Sequence, residues 1–142
     1  MDIIEQYIKD NQFGQVLGMH FRIQEPGLVH YFLTINQSHL STPRAVHGGV
    51  IAAMMDGVLG VAALSKTALE KRIVSTVEFK INYLSPSLVG DELMGIGKVE
   101  SQGKRLIVCS GDIICTNRGN MAIAKALGTF NAYPLEKAGY NK

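Results

Sequence analysis

At 142 residues, 46% hydrophobic and 18% charged, the chain is sized for one domain spanning 1–142 with a core of its own. Its 14 Lys and Arg against 12 Asp and Glu leave +2, too near neutral for the charged stripe of a nucleic-acid binder or a membrane-surface helix. Met1 to Asp10 shows no basic segment followed by an apolar stretch, so a soluble cytoplasmic protein without a secretory signal is expected.

Ile3, Ile4, Tyr7 and Ile8 share one face of a short N-terminal helix over Asp2 to Asp10. Alternation then takes over. Leu17, Met19, Phe21 and Ile23 predict a strand, Glu25-Pro26-Gly27 a turn, and Val29, Tyr31, Leu33 and Ile35 the returning strand. From Asn36 to Val46 the composition is polar and reads as a loop into a long helix from Gly48 to about Thr67. That helix is apolar on every face, which places it inside protein rather than on a surface. It is marginal in length for a membrane span and is interrupted by Asp56 and glycines. After Glu70-Lys71-Arg72, alternation resumes at Ile73, Ser75, Val77, Phe79, Ile81 and Tyr83. Strands follow at about Glu92 to Ser101, Arg105 to Thr116 and Met121 to Asn131, joined by turns at Gln102-Gly103-Lys104 and Asn117 to Asn120. One helix wrapped by a curved antiparallel sheet accounts for this order. Cys109 and Cys115 fall on one side of a single strand about 20 Å apart, beyond disulfide reach, and read as buried thiols.

The chemistry gathers on the long helix. Asp56 is its one carboxylate, and burial disfavours a charged carboxylate unless it has partners or a task, which makes it a candidate general base. The helix opens at His47-Gly48-Gly49, where unpaired N–H groups and the positive end of the helix dipole suit a developing oxyanion, and where no side chain blocks approach. Eight residues of helix separate Gly48 from Asp56 by about 12 Å, too far for one carbonyl to touch both. If both serve one reaction, the site joins two subunits. His47 is a general acid, a donor or a turn residue. His20, His30 and His39 lack metal-ligand spacing with the cysteines and read as surface or packing residues.

HGGVIAAMMD, then IVSTVEFKINYLSP, then VGD, resembles the hotdog-fold acyl-CoA thioesterases of the phenylacetyl-CoA (PaaI-like) type, over about Val16 to Phe130. The resemblance implies an α+β hotdog fold and a homodimer, often paired again, hydrolysing acyl-CoA thioesters at the subunit interface without metal or cofactor. It implies that Asp56 activates water or attacks directly, that the Gly48 N–H polarises the thioester carbonyl from the other subunit, that Thr76 helps place the water, and that His47 lies close to the thioester. Family members often carry asparagine six residues before the histidine, whereas this chain has Ser41. Lys104, Arg105 and Arg118, near hairpin turns, are candidates for the phosphates of coenzyme A. Met54, Met55, Leu59 and Tyr83 are candidates for the lining of the acyl cavity. A non-catalytic acyl-CoA-binding module and a hotdog hydratase or dehydratase are the competing readings. No Gly-x-Ser-x-Gly elbow or phosphate-cradling glycine loop is present to suggest another hydrolase class or a nucleotide.

Overall fold

The computed structural model describes residues 2–140. Helix α1 spans Ile3–Asp10, capped by the Asp2 carboxylate, which accepts the Glu5 N–H at 2.8 Å. The Asn11 side chain then accepts from the Gly14 N–H at 3.1 Å and starts a second short helix, α2, over Gln12–Leu17. The sequence reading began a strand at Leu17. The chain is instead helical there, and Gly18, at φ 83°, makes the left-handed turn into β1 (His20–Glu25).

Strand β2 is Leu28–Thr34, the long helix α3 is Gly48–Thr67, and β3 to β6 are Arg72–Tyr83, Glu92–Gln102, Leu106–Cys115 and Met121–Pro134. They form one antiparallel sheet in the order β1-β2-β4-β5-β6-β3, rolled about α3 in the hotdog arrangement. From Val50 to Thr67 no residue of α3 is exposed. The stretch Gly48–Glu70 is long and apolar enough to cross a membrane, but its apolar surface is spent against the sheet. Strand β6 runs three residues past the expected end, because Ala132, Tyr133 and Pro134 continue the pairing with the start of β3.

One row across three adjacent strands presents almost no side chain beneath α3. Gly97 pairs with Gly111, and Gly111 with Ala126. A Cβ at Gly97 would lie 2.3 Å from the Val58 carbonyl oxygen, and one at Gly111 2.7 Å from the Met55 sulfur. The helix therefore rests on the sheet backbone, flanked by Tyr31, Ile113 and Phe130, all almost wholly buried. Cys109 and Cys115 are buried free thiols on the inner face of β5, and burial pushes the Cys109 thiol up to about 12.

Strand β3 departs from simple alternation. Its register against β6 shifts between Thr76 and Glu78, so Val74 and Thr76 pair with Ala132 and Phe130, while Phe79, Ile81 and Tyr83 pair with Gly128, Ala126 and Ala124. The bulge changes which parity faces inward. Strict alternation put Thr76 on the face opposite Phe79, Ile81 and Tyr83; the structure brings all of them to the helix side.

Candidate functional site

On α3, Gly49, Ala52, Ala53, Asp56, Gly57 and Gly60 follow the three-and-four spacing of one helix face, and none of them is fully buried. This face lies along the slot left between the two free edges of the sheet, β1 and β3. Asp56 is half-buried in it, more open than an apolar helix suggested. Thr76, carried inward by the bulge, donates its hydroxyl to Asp56 Oδ1 at 2.7 Å. The carboxylate is thereby fixed through one oxygen, and among the described residues the other accepts no hydrogen bond.

The opposite wall is aromatic. Tyr31 projects from β2 so that its hydroxyl would sit 2.5 Å from a Cβ at Gly57, and only glycine there lets the ring close against the helix. Phe21 stacks on Tyr31 with ring centres 5.8 Å apart, and Tyr7 of α1 leans on Phe21 at 6.3 Å. Burial raises both phenols, and the Asp56 carboxylate raises them further, for Tyr31 after the influence of Tyr7. Asp56 thus stands between a hydroxyl-bearing strand and an aromatic wall. Tyr31 was legible in the sequence only as an inward strand residue.

The start of α3 is built as tightly. His47 is the N-cap, and its Nδ1 accepts the Gly49 N–H at 2.8 Å. An accepting Nδ1 is unprotonated, so the neutral ring carries its proton on Nε2. The His47 carbonyl accepts from Val50, and its own N–H donates to the His39 carbonyl at 2.8 Å. His39 is 1% exposed, with Nδ1 accepting from Asn36 and Nε2 facing the Leu17 carbonyl, so it ties the approach loop to α2. Among the described residues the Gly48 N–H has no partner. Tyr83 donates its hydroxyl to the Gly48 carbonyl at 2.8 Å. An open depression of about 250 Å³ adjoins this end of the helix, lined by Val46, Gly48, Ile51 and the segment Tyr83 to Ser87.

Gly48 and Asp56 do not converge within the chain, since the helix holds them eight residues apart. Ser41 is exposed, and its N–H and hydroxyl both face the Ala45 carbonyl, at 2.8 and 3.4 Å, within its own turn. Met54, Met55 and Leu59 are wholly buried against the sheet and are core, not cavity lining. Strand β5, ten residues and about 33 Å long, puts Lys104 and Arg105 at one end of the sheet and Arg118 at the other. Arg118 is engaged: it forms a two-pronged pair with Asp91 at 2.9 and 2.7 Å and also donates to the Pro86 carbonyl at 3.0 Å. Arg105 reaches Asn131 at 3.2 Å, and Lys104 borders a shallow depression with Glu70, Arg72 and Gln102. Among the described residues no three His, Cys, Asp or Glu side chains gather as metal ligands.

Residues 44–122 match the Thioesterase superfamily, more than half of the chain. The chain is 26% identical over 113 residues to human acyl-coenzyme A thioesterase 13, covering 79% of each protein. Its fold superposes on the E. coli PaaI protein of the phenylacetic acid degradation operon with a TM-score of 0.83, at 19% identity, over 92% of this chain and 90% of that one. A hypothetical thioesterase from Streptococcus pneumoniae, solved with coenzyme A, superposes with a TM-score of 0.78 at 22% identity, over 89% and 97%. The chain belongs to the Thioesterase superfamily, as a thioester hydrolase on the hotdog fold it shares with the PaaI protein.

Proposed function

We propose that the protein is an acyl-CoA thioesterase whose site is assembled between two copies of the chain. The observation that carries this is the Asp56–Thr76 pair: a carboxylate on an otherwise apolar helix, pinned through one oxygen, open at the other and only half-buried. An unpartnered amide at the start of the same helix supports it, because that amide lies too far along the axis to serve the same chain's Asp56. Strand β3 offers the means of pairing. It is a twelve-residue edge whose neighbours lie on one side only, with Val77 and Tyr83 more than half exposed, and an uncovered edge of that length is a template for a second chain.

In this reading the thioester carbonyl accepts the Gly48 N–H of one chain and faces Asp56 of the other. The free Asp56 oxygen takes a proton from a water that attacks the carbonyl carbon. Negative charge grows on the carbonyl oxygen at the positive end of α3, and the tetrahedral species collapses by breaking the carbon–sulfur bond. The departing thiolate recovers from Asp56 the proton that the water gave up. In the alternative course Asp56 attacks directly, and the resulting anhydride is then hydrolysed; a single turnover in heavy-oxygen water separates the two by whether product or Asp56 takes up the label. Lys104 and Arg105 keep their charges outward for the phosphates of coenzyme A, whereas Arg118 has its charge answered by Asp91. Ser41 contributes through the turn it closes.

The test is complementation. Proline at position 48 removes the N–H, is tolerated at the first position of a helix, and follows naturally from His47 at ψ 128°. Asp56→Asn and Gly48→Pro proteins, each lowered about 100-fold or more alone, should on mixing recover toward about half the normal activity of the heterodimer, one intact site in two. Heterodimers that form normally and stay inactive would refute the shared site.

A further inference from the structure

We infer that Tyr83 is a positioning residue for the oxyanion amide: by gripping the Gly48 carbonyl, its hydroxyl fixes the direction of the Gly48 N–H. This rests on the role of Gly48 proposed above.

A helix that opens with two glycines has little of its own to hold its first turn, because glycine moves freely among backbone conformations. Here the peptide group joining Gly48 to Gly49 is held at both ends. Tyr83 donates to its oxygen at 2.8 Å, and its N–H donates to His47 Nδ1 at 2.8 Å. The preceding peptide group is held as well, since the His47 carbonyl accepts the Val50 N–H at 2.9 Å. With both flanking peptide planes fixed, the torsions of Gly48 are fixed, and so is the line along which its unpartnered N–H points.

Only a long, stiff side chain can do this from β3. The tyrosine ring carries its hydroxyl from the strand end to the helix start, and a Cβ at Gly48 would already touch that hydroxyl at 3.7 Å. Tyr83 is 53% exposed, so packing is a small part of its use. The bulge beside Thr76 gives Tyr83 its inward face, just as it gives Thr76 its own. One strand therefore aims both reacting groups of a chain: the carboxylate through Thr76 and the amide through Tyr83. In the proposed dimer those two groups serve different sites.

The experiment is Tyr83→Phe, which keeps the ring and removes the hydroxyl, assayed on a thioester the wild type hydrolyses. Loss of an oxyanion donor outright lowers turnover by about 10²–10³, and loss of its aim alone by less. The expected result is a fall in kcat of about tenfold with KM within about twofold. Backbone amide exchange at Gly49, read by NMR, should speed up by a similar factor. In a Gly48→Pro background, where there is no donor to aim, Tyr83→Phe should change kcat no further; a merely structural tyrosine would lower it in both backgrounds. An unchanged kcat, a rise in KM alone, or an equal loss in the Gly48→Pro background overturns the inference. If the wild type hydrolyses no thioester, it is the function that has failed, and the exchange measurement still decides the clamp: an unchanged rate at Gly49 refutes it.

Discussion

Replacing Thr76 by valine removes one hydroxyl from the site and leaves almost the same volume. What is lost is a 2.7 Å hydrogen bond to a carboxylate. Bonds to charged groups contribute about 1.5–3 kcal/mol when sheltered. Asp56 is half-buried, which reduces that to about 1–2 kcal/mol, or a factor of roughly 5–30 in kcat if the bond serves to orient the base. Asp56→Asn, which removes the base itself, should cost ~100-fold or more. The two substitutions should not add. With the carboxylate gone Thr76 has nothing to orient, so Thr76→Val in the Asp56→Asn background should cost less than about threefold. Thioester cleavage is followed through the free thiol of released coenzyme A, with each variant's fold checked by circular dichroism. If Thr76→Val costs the same factor in both backgrounds, the threonine acts independently of Asp56, and the orienting role is wrong.

The Asp91–Arg118 pair makes stability dependent on pH. Burial pushes the Asp91 carboxyl up, but the bonds and charge of Arg118 and the Leu88 N–H outweigh it and hold it below the usual carboxylate range. A lowered folded-state value contributes stability that is present above about pH 4 and is lost as pH falls through the folded value. Denaturation midpoints should therefore drop below pH 4 in the wild type, and less steeply in Asp91→Asn; parallel curves would refute the assignment. Gly97→Ala puts a Cβ against the Val58 carbonyl and should cost about 2–4 kcal/mol in urea unfolding, whereas Gly95→Ala, which meets a Val58 methyl, should cost less. A cost below about 0.5 kcal/mol at Gly97 would mean that the helix does not rest on that strand.

The long helix was legible because nothing in its pattern competes with burial, and Asp56 stands out against it as the one carboxylate. The His-Gly-Gly opening was equally plain, though not the ring tautomer of His47, which depends on where the Gly49 N–H points. The face of Thr76 was not legible at all. Alternation counts residues along one strand, whereas a bulge is a relation between two, and β3 reads as unbroken until it is laid against β6. Arg118 stood near a turn as a candidate for the phosphates of coenzyme A; its partner Asp91 lies 27 residues away across a fold that spacing does not reveal. The buried methionines of α3 were misread for a related reason, since a helix apolar on all sides does not say which side meets the sheet and which meets the slot.

The bare floor formed by Gly97, Gly111 and Ala126 has a consequence for how such a protein changes over generations. It fixes the height of α3, and with it the height of Asp56, without contributing an atom to the walls of the slot. Mutation at Gly97 is met by the Val58 backbone and at Gly111 by the packed side chains of Met55, Leu59 and Val58, so it is purged through loss of folding before any change of chemistry can be sampled. The walls are another matter: Tyr7 stands on a short terminal helix, and Thr76 and Tyr83 on a sheet edge, where neighbours are fewer. Diversification of the acyl group accepted would be written at the edges, over a datum that stays put, and directed evolution toward a new thioester should begin its libraries there.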